Sequence, residues 1–141
     1  MRADPFVDTN VLIYAVAGDA TSAMKAKQAR ALLRTGTMCL STQVLGEFYR
    51  AVTSQRRASP LRHEEAVAWV QLWKHHDVRD ITIAHVDLAL EICGRHSLNY
   101  YDALIVASAR LAKCPVLYSE DFSHSEDYGG IRVENPFAMK L

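Results

Sequence analysis

Short apolar runs alternate along the chain with longer stretches in which apolar residues recur at helical spacing. The short runs predict buried strands, because each is only a few residues long and ends in polar or turn-forming residues. The longer stretches predict helices that end at glycine or in polar clusters. The strands predicted from the short runs are residues 5–7, 38–40, 115–118 and 131–133, and the alternation of residues 78–83 predicts a fifth.

Six helices are expected around these strands. In the third, Leu45, Phe48, Tyr49 and Val52 recur at one helical face. The sixth has the strongest pattern, a stripe of small and apolar side chains. The first helix follows Thr9 and Asn10; the second spans about 21–34 and stops at Gly36; the third is capped by Ser41 or Thr42 and ends near Arg57; the fourth starts at Ser59-Pro60; the fifth carries Val86, Leu90 and Cys93 and closes within 94–98; the sixth spans 102–113.

Strands that are apolar throughout and separated by helices indicate a parallel sheet covered on both faces. The predicted fold is therefore α/β, a three-layer α/β/α domain with a mainly parallel central sheet. No repeat, low-complexity tract or linker interrupts the chain, so one domain over residues 1–141 is expected.

Composition supports an ordinary globular protein. Half of the residues are hydrophobic and the formal net charge is zero, whereas a disordered chain has low hydrophobicity and high net charge. No secretory signal and no apolar run of about 20 residues is visible, so neither export nor membrane insertion is expected. The three cysteines have no C-x-x-C spacing, which argues against disulfides or structural zinc and favours the cytoplasm. The six histidines form no metal-binding motif and are expected on the surface.

The zero net charge hides an asymmetry. Residues 22–63 contain eight basic side chains and one acid, Glu47, while the segment from Cys114 onward is acidic. A basic surface beside separately placed acids could bind a polyanion and a cation. The alternative is that these charges are only solvated helix faces.

Four acids are predicted to meet at one edge of the sheet. Asp8 and Asp121 follow predicted strands, Asp102 opens a helix, and Glu47 lies on a helix face turned away from the core. Taken singly, they could be helix caps, a turn former or a surface residue. Taken together, clustered carboxylates need a cation, and oxygen ligands without histidine or thiolate favour Mg²⁺ or Mn²⁺.

A carboxylate-bound divalent cation beside a basic surface suits phosphodiester hydrolysis, because the metal acidifies a bound water and stabilises charge on the phosphate. The chain has no G-x-S-x-G, P-loop or G-x-G-x-x-G motif, which weakens the hypotheses of a catalytic-triad hydrolase, an NTPase and a dinucleotide-binding protein.

With these motifs the chain resembles PIN-domain ribonucleases, and in particular the VapC toxins of bacterial toxin–antitoxin pairs. The resemblance spans nearly the whole chain, and the order and spacing of its motifs are specific. It is carried by Val7-Asp8-Thr9-Asn10-Val11-Leu12, Ser41-Thr42-Gln43-Val44-Leu45-Gly46-Glu47-Phe48-Tyr49, Tyr101-Asp102-Ala103-Leu104-Ile105-Val106-Ala107-Ser108-Ala109, Tyr118-Ser119-Glu120-Asp121-Phe122 and Asn135-Pro136-Phe137.

The resemblance implies that an acidic tetrad holds Mg²⁺ or Mn²⁺ and activates water to cut RNA. It also implies a supporting shell, a homodimer, and a small VapB-like antitoxin partner that inserts a segment into the acidic pocket. The fourth motif often has the form Thr-x-Asp, so Glu120 is an alternative to Asp121 here. The implied tetrad is Asp8, Glu47, Asp102 and Asp121, and the implied shell is Thr9, Asn10 and Ser119.

Two groups of side chains have open roles. Basic residues on the second helix and after the third could contact RNA phosphates or could only be solvated. Trp69 and Trp73, four apart on one helix, are expected to pack in the core rather than stack on bases. The candidate RNA contacts are Lys27, Arg30, Arg34, Arg56 and Arg57.

Two other functions compete with a Mg²⁺-dependent endoribonuclease toxin. One is a non-catalytic PIN-like domain that recruits RNA or protein; the presence of all four acids argues against it. The other is a receiver-like domain phosphorylated on an aspartate. That class expects paired acids directly after the first strand, where only Asp8 stands.

Overall fold

Five short strands form the sheet at the centre of the protein. The structure is a computed structural model, and it describes residues 4–17, 20–123 and 126–138. The strands are β1 (Phe6–Val7), β2 (Cys39–Ser41), β3 (Asp77–Arg79), β4 (Val116–Tyr118) and β5 (Arg132–Glu134). They lie in the order β3-β2-β1-β4-β5, and all of these pairings are parallel, which confirms the predicted sheet.

Helices flank the sheet in two groups. The first four pack on one another, the last two pack on each other, and the whole is the predicted three-layer α/β fold. None of them is long and apolar enough to cross a membrane in the described ranges. The helices are α1 (Thr9–Ala17), α2 (Ala23–Leu33), α3 (Thr42–Val52), α4 (His63–Trp73), α5 (Ile83–His96) and α6 (Tyr100–Leu111).

Helix α3 forms where a polar cap meets an apolar stripe. The Val44 amide donates to the Ser41 hydroxyl at 3.3 Å, which caps the helix as predicted. Val44, Phe48 and Val52 are fully buried on one face. The helix was predicted to end near Arg57, but it ends at Val52.

Helix α6 runs through the core, since all of residues 103–109 are buried. It begins two residues before the predicted start. Asn99 is the N-cap, so Asp102 lies in the first turn rather than opening the helix. An asparagine three residues ahead of an acid is a cap signal that the spacing of apolar residues does not reveal.

Three further predicted boundaries were wrong. Helix α2 starts at Ala23, after a short 3-10 turn over Ala20–Ser22. Helix α4 starts at His63, where Glu65 accepts from the Arg62 amide, rather than at Ser59-Pro60. The predicted strand 78–83 is shorter, because α5 already begins within it.

The predicted apolar face of α5 was also wrong. Leu90 is 58% exposed, and the buried residues are His85, Ala89 and Ile92. A ring nitrogen of His85 accepts from the Thr82 amide at 3.1 Å, and this contact lets an imidazole lie in the core. The prediction that all histidines lie on the surface therefore fails for His85; His124 lies outside the described residues.

The two tryptophans pack between helices as predicted. Their rings stack with centroids 5.6 Å apart, and the Trp73 ring contacts the Phe48 ring of α3 edge-on with centroids 5.8 Å apart. This contact fixes α4 against α3, the helix that carries Glu47.

Candidate active site

Three of the four acids follow neighbouring strands of the sheet. Asp8 directly follows β1, Glu47 lies in the helix that begins after β2, and Asp121 comes three residues after β4. Because these strands are adjacent and parallel, their carboxyl ends share one edge, where open α/β sheets bind ligands. Asp102 reaches the same place from the first turn of α6.

Asp8 is the most deeply placed acid, with 4% of its surface exposed. Its Oδ1 accepts from the Thr9 amide and its Oδ2 from the Ser119 hydroxyl, both at 2.7 Å. Burial raises the pKa of Asp8 to about 7; the two hydrogen bonds oppose this, and the charges of Asp121 and Glu47 add to it.

Glu47 has a donor on each carboxylate oxygen. The Thr9 hydroxyl donates to Oε1 at 2.7 Å, which ties α3 to the start of α1. The Gln43 amide donates to Oε2 at 3.0 Å and to the Tyr101 carbonyl at 3.2 Å. Glu47 is therefore fixed between three helices.

Asp102 is held by its own helix cap. The Asn99 amide donates to Asp102 Oδ2 at 2.6 Å, and the Asp102 backbone N–H donates back to Asn99 Oδ1 at 3.0 Å. Burial raises the pKa of Asp102; the Asn99 hydrogen bond lowers it, and the charges of Asp121 and Glu47 raise it further.

Asp121 is exposed and is held by Asn10. The Asn10 amide donates to Asp121 Oδ2 at 3.0 Å and to the Ser119 hydroxyl at 3.3 Å. The Asp121 amide also donates to that hydroxyl at 3.0 Å. Ser119 thus connects Asp121 to Asp8, which it contacts at the same time.

Glu120 faces a different environment. Lys25 forms an ion pair with it at 2.8 Å, and the Tyr14 hydroxyl donates to its other oxygen at 2.9 Å. Lys25 also lies 5.0 Å from the Tyr14 ring centre. The negative charge of Glu120 is already paired, so of the two candidates Asp121 is the acid that lies with the others.

The four acids thus gather as uncompensated negative charge. Asp8 and Asp102 each experience the charges of Glu47 and Asp121, and within the part of the chain that the structure describes no basic side chain is among the groups that shift the pKa of either. The hydrogen bonds to the four carboxylates come instead from five neutral side chains: Thr9, Asn10, Gln43, Asn99 and Ser119.

This donor set fits a hard divalent cation in its chemistry, because all candidate ligands are carboxylate oxygens. Each carboxylate is turned to its own donor, and the described residues contain no group of three His, Cys, Asp or Glu side chains with metal-site geometry. A bound cation would relieve the burial and repulsion that raise the pKa of Asp8 and Asp102. The metal site stays a prediction.

Two of the basic residues singled out on α2 line an apolar cavity. Arg30 and Arg34 border a cavity of about 230 Å³ together with Trp69 and Trp73, and Arg30 Nε donates to a carbonyl of α1 at 3.0 Å. None of the four acids lines this cavity. Lys27 is exposed on the same helix.

The other two basic residues lie beyond the end of α3. Arg56 is exposed and Arg57 is half-buried in the segment that connects α3 to α4. A role of these five basic side chains in RNA binding stays a prediction.

Sequence reasoning missed two of the five neutral donors. Gln43 precedes Glu47 by four residues on one helix, and such pairs are neighbours on the helix surface. Asn99 precedes Asp102 by three, the usual spacing of an N-cap contact. Both signals are visible in the sequence once each acid is considered together with its helical neighbours.

Comparisons with solved structures find toxins with the same fold. A toxin–antitoxin complex from Klebsiella pneumoniae superposes with a TM-score of 0.71 at 17% identity, covering 96% of this chain and 100% of that one. Mycobacterium tuberculosis VapC20, described as a sarcin-ricin loop cleaving toxin, superposes with a TM-score of 0.66 at 25% identity. This match covers 84% of this chain and 92% of that one. DNA-bound VapBC from Salmonella typhimurium superposes with a TM-score of 0.64 at 22% identity, and the match covers 96% of this chain and 99% of that one.

Sequence comparisons separate the competing assignments. No curated protein matches the chain significantly. The family model described as PIN domain matches residues 6–126, a range that includes all four acids. The receiver-like alternative is therefore wrong, and the predicted resemblance is confirmed. The chain belongs to the PIN domain family.

Proposed function

We propose that the protein is a Mg²⁺- or Mn²⁺-dependent endoribonuclease that hydrolyses RNA phosphodiester bonds and acts as the toxin of a toxin–antitoxin pair. The observation that carries this proposal is the gathering of four carboxylates at one sheet edge, where among the described residues each is hydrogen-bonded to a neutral donor and none is paired with a basic side chain. Such an arrangement keeps negative charge available for a divalent ion.

Asp8, Glu47, Asp102 and Asp121 are the residues that would hold the cation. When bound, a divalent ion supplies an acidified water and stabilises charge on the attacked phosphate. The rest of the site keeps the carboxylates in place: Ser119 and the Thr9 amide hold Asp8, while Asn10 holds Asp121.

Proton release is part of the proposed binding step. Because the pKa of Asp8 is about 7 without metal, part of the protein carries a proton on this group at neutral pH. A bound cation would require the ionised carboxylate, so Asp8 would release that proton to solvent. Of the four acids, we assign this proton transfer to Asp8.

The structural relatives support the choice of substrate and partner. VapC20 is described as cleaving the sarcin-ricin loop, an RNA target, and the Klebsiella pneumoniae structure is a toxin–antitoxin complex. By analogy we propose RNA as the substrate, a small VapB-like antitoxin as the partner, a homodimer as the assembly and the cytoplasm as the location. Lys27, Arg30, Arg34, Arg56 and Arg57 are proposed contacts for RNA phosphates.

Substitution of the acids tests this proposal. Asp8→Ala and Asp102→Asn are expected to leave the fold intact and to lower the rate of Mg²⁺-dependent cleavage of labelled RNA by at least about 100-fold, as loss of a metal ligand removes both binding and water activation. Circular dichroism checks the fold, and EDTA should abolish wild-type cleavage. Undiminished cleavage by both variants would refute the assignment.

The same variants separate catalysis from RNA recruitment. A non-catalytic PIN domain would bind RNA without cutting it, so purified wild-type protein would shift labelled RNA on a gel but leave its length unchanged. Cleavage that is present in the wild type and lost in Asp102→Asn excludes this alternative.

A further inference from the structure

Gln43 is the only residue among the five neutral donors that contacts both Glu47 and the element carrying Asp102. We propose that Gln43 is a positioning residue, which holds Glu47 against the first turn of α6 and thereby sets the affinity of the acidic site for a divalent cation. This inference rests on the proposed function, since it concerns the same carboxylates.

The contacts of the Gln43 amide define this role. Its Nε2 donates to Glu47 Oε2 at 3.0 Å on α3 and to the Tyr101 carbonyl at 3.2 Å on α6. Tyr101 directly precedes Asp102 in the chain. One amide group therefore fixes the distance between two helices that each carry a proposed ligand.

The other atom of the amide makes this arrangement unusual. Gln43 Oε1 is buried and has no hydrogen-bond partner among residues 4–17, 20–123 and 126–138. Rotating the amide by half a turn would not help, because the oxygen would then face two acceptors, the Glu47 carboxylate and the Tyr101 carbonyl. An unpaired buried acceptor destabilises a fold. A side chain chosen only for stability at this position would not leave this oxygen unpaired.

The neutrality of the donor also matters. A lysine or arginine at this position would pair with Glu47 and compensate its charge, as Lys25 does for Glu120. An amide orients the Glu47 carboxylate and leaves its full negative charge for a cation. Partners that orient ligands in this way typically change metal affinity by about 10- to 100-fold when they are removed.

Gln43→Met tests the proposal, because methionine keeps the length of the side chain and removes both hydrogen-bond donors. The control is Gln55→Met, which alters an exposed glutamine beyond the end of α3. We expect the unfolding midpoint of Gln43→Met in EDTA to equal or exceed that of the wild type. Its dissociation constant for Mn²⁺, measured by calorimetry, should rise at least about tenfold, and that of Gln55→Met should not change.

RNA cleavage then provides a second measurement. At low Mn²⁺ the Gln43→Met variant should cleave more slowly than the wild type, and raised Mn²⁺ should restore most of the rate. A merely structural role would instead lower the unfolding midpoint, and added metal would not restore the rate. Gln43→Leu, which also lacks donors, should behave as Gln43→Met does.

Two failures are distinguishable. If wild-type protein binds no Mn²⁺ and cuts no RNA, the proposed function fails and the inference fails with it. If the wild type and Gln55→Met bind Mn²⁺ and Gln43→Met binds it equally well, only the role of Gln43 is overturned.

Discussion

In the described part of the chain, each acid of the site is hydrogen-bonded to neutral side chains rather than paired with a basic one. Asp8 shows the effect most clearly, since its two hydrogen bonds do not offset its burial and its pKa remains raised to about 7. A carboxylate kept in this way is unfavourable when ionised and becomes favourable only when positive charge arrives. This electrostatic environment is the one that the proposed cation site requires.

This has a consequence for the pH dependence of stability. In the folded, metal-free protein the pKa of Asp8 is about 7, against 3.8 for an ordinary aspartate, so between these values only the folded state holds the proton. The free energy of unfolding in EDTA should therefore fall as pH rises from about 4 to above 7. The full shift corresponds to a loss on the order of 4 kcal/mol, at about 1.4 kcal/mol per pKa unit.

Urea denaturation of the wild type and of Asp8→Asn at several pH values measures this loss. The variant cannot titrate at this position, so the difference between the two proteins should change across the window while the contribution of groups such as His85 cancels. A difference that is independent of pH would show that Asp8 is ionised throughout.

Two adjacent acids provide a matched comparison. Glu120 is paired with Lys25, whereas Asp121 is held by the amide of Asn10. Asp121→Asn should lower RNA cleavage by about tenfold or more, as loss of a metal ligand or of its orientation does. Glu120→Gln should retain cleavage close to the wild-type rate. Equal loss in both variants would contradict the assignment of Asp121.

At the level of secondary-structure elements, the start of α6 serves both stability and the site. The Asn99 side chain accepts from the Asp102 amide and donates to the Asp102 carboxylate. Asn99→Ala removes both contacts and should lower the free energy of unfolding by about 1 kcal/mol, the usual effect of losing an N-cap.

Asn99→Ser separates these two roles, because serine caps a helix well but has no amide donor. Denaturation should find Asn99→Ser close to the wild type in stability, while Mn²⁺ titration should find both variants weakened in metal affinity. Wild-type metal affinity in Asn99→Ser would show that the cap alone matters.

The elements themselves were largely predictable from the sequence, and their limits were not. Apolar runs predicted β1, β2 and β4, because a strand buried on both faces must be apolar throughout, whereas alternation predicted β3. The predicted strand 78–83 was too long, because its alternation continues into the first residues of α5. On α5 the spacing of Val86, Leu90 and Cys93 predicted the wrong buried face. Ala89 and the hydrogen-bonded His85 occupy the buried face instead.

The site was predictable to a similar degree. Asp8 and Asp121 could be placed from their positions after strands, because the topology of a parallel sheet brings such positions to one edge. The directions of the side chains could not be predicted in this way. The ion pair of Glu120 with Lys25, for example, joins residues 95 apart in sequence, and no local pattern predicts it.

At the level of the whole molecule, the fold is shared with chains of toxin–antitoxin complexes. The proposed toxin role predicts that expression of the wild-type chain alone in bacteria arrests growth, and that expression of Asp102→Asn at the same level does not. Sequencing of RNA 5′ ends after brief induction would identify the cleaved RNA. Normal growth with abundant, cleavage-competent protein would contradict the role as a toxin.

The acids come from distant parts of the polypeptide, and contacts between them span most of its length. Thr9 reaches a residue 38 positions away, and Asn10 reaches one 111 positions away. During translation, the amino-terminal two thirds of the chain therefore lack Asp102 and Asp121. The proposed nuclease site is therefore complete only after Asp121 has been synthesised and β4 has paired with β1, so a nascent chain cannot use it before that point.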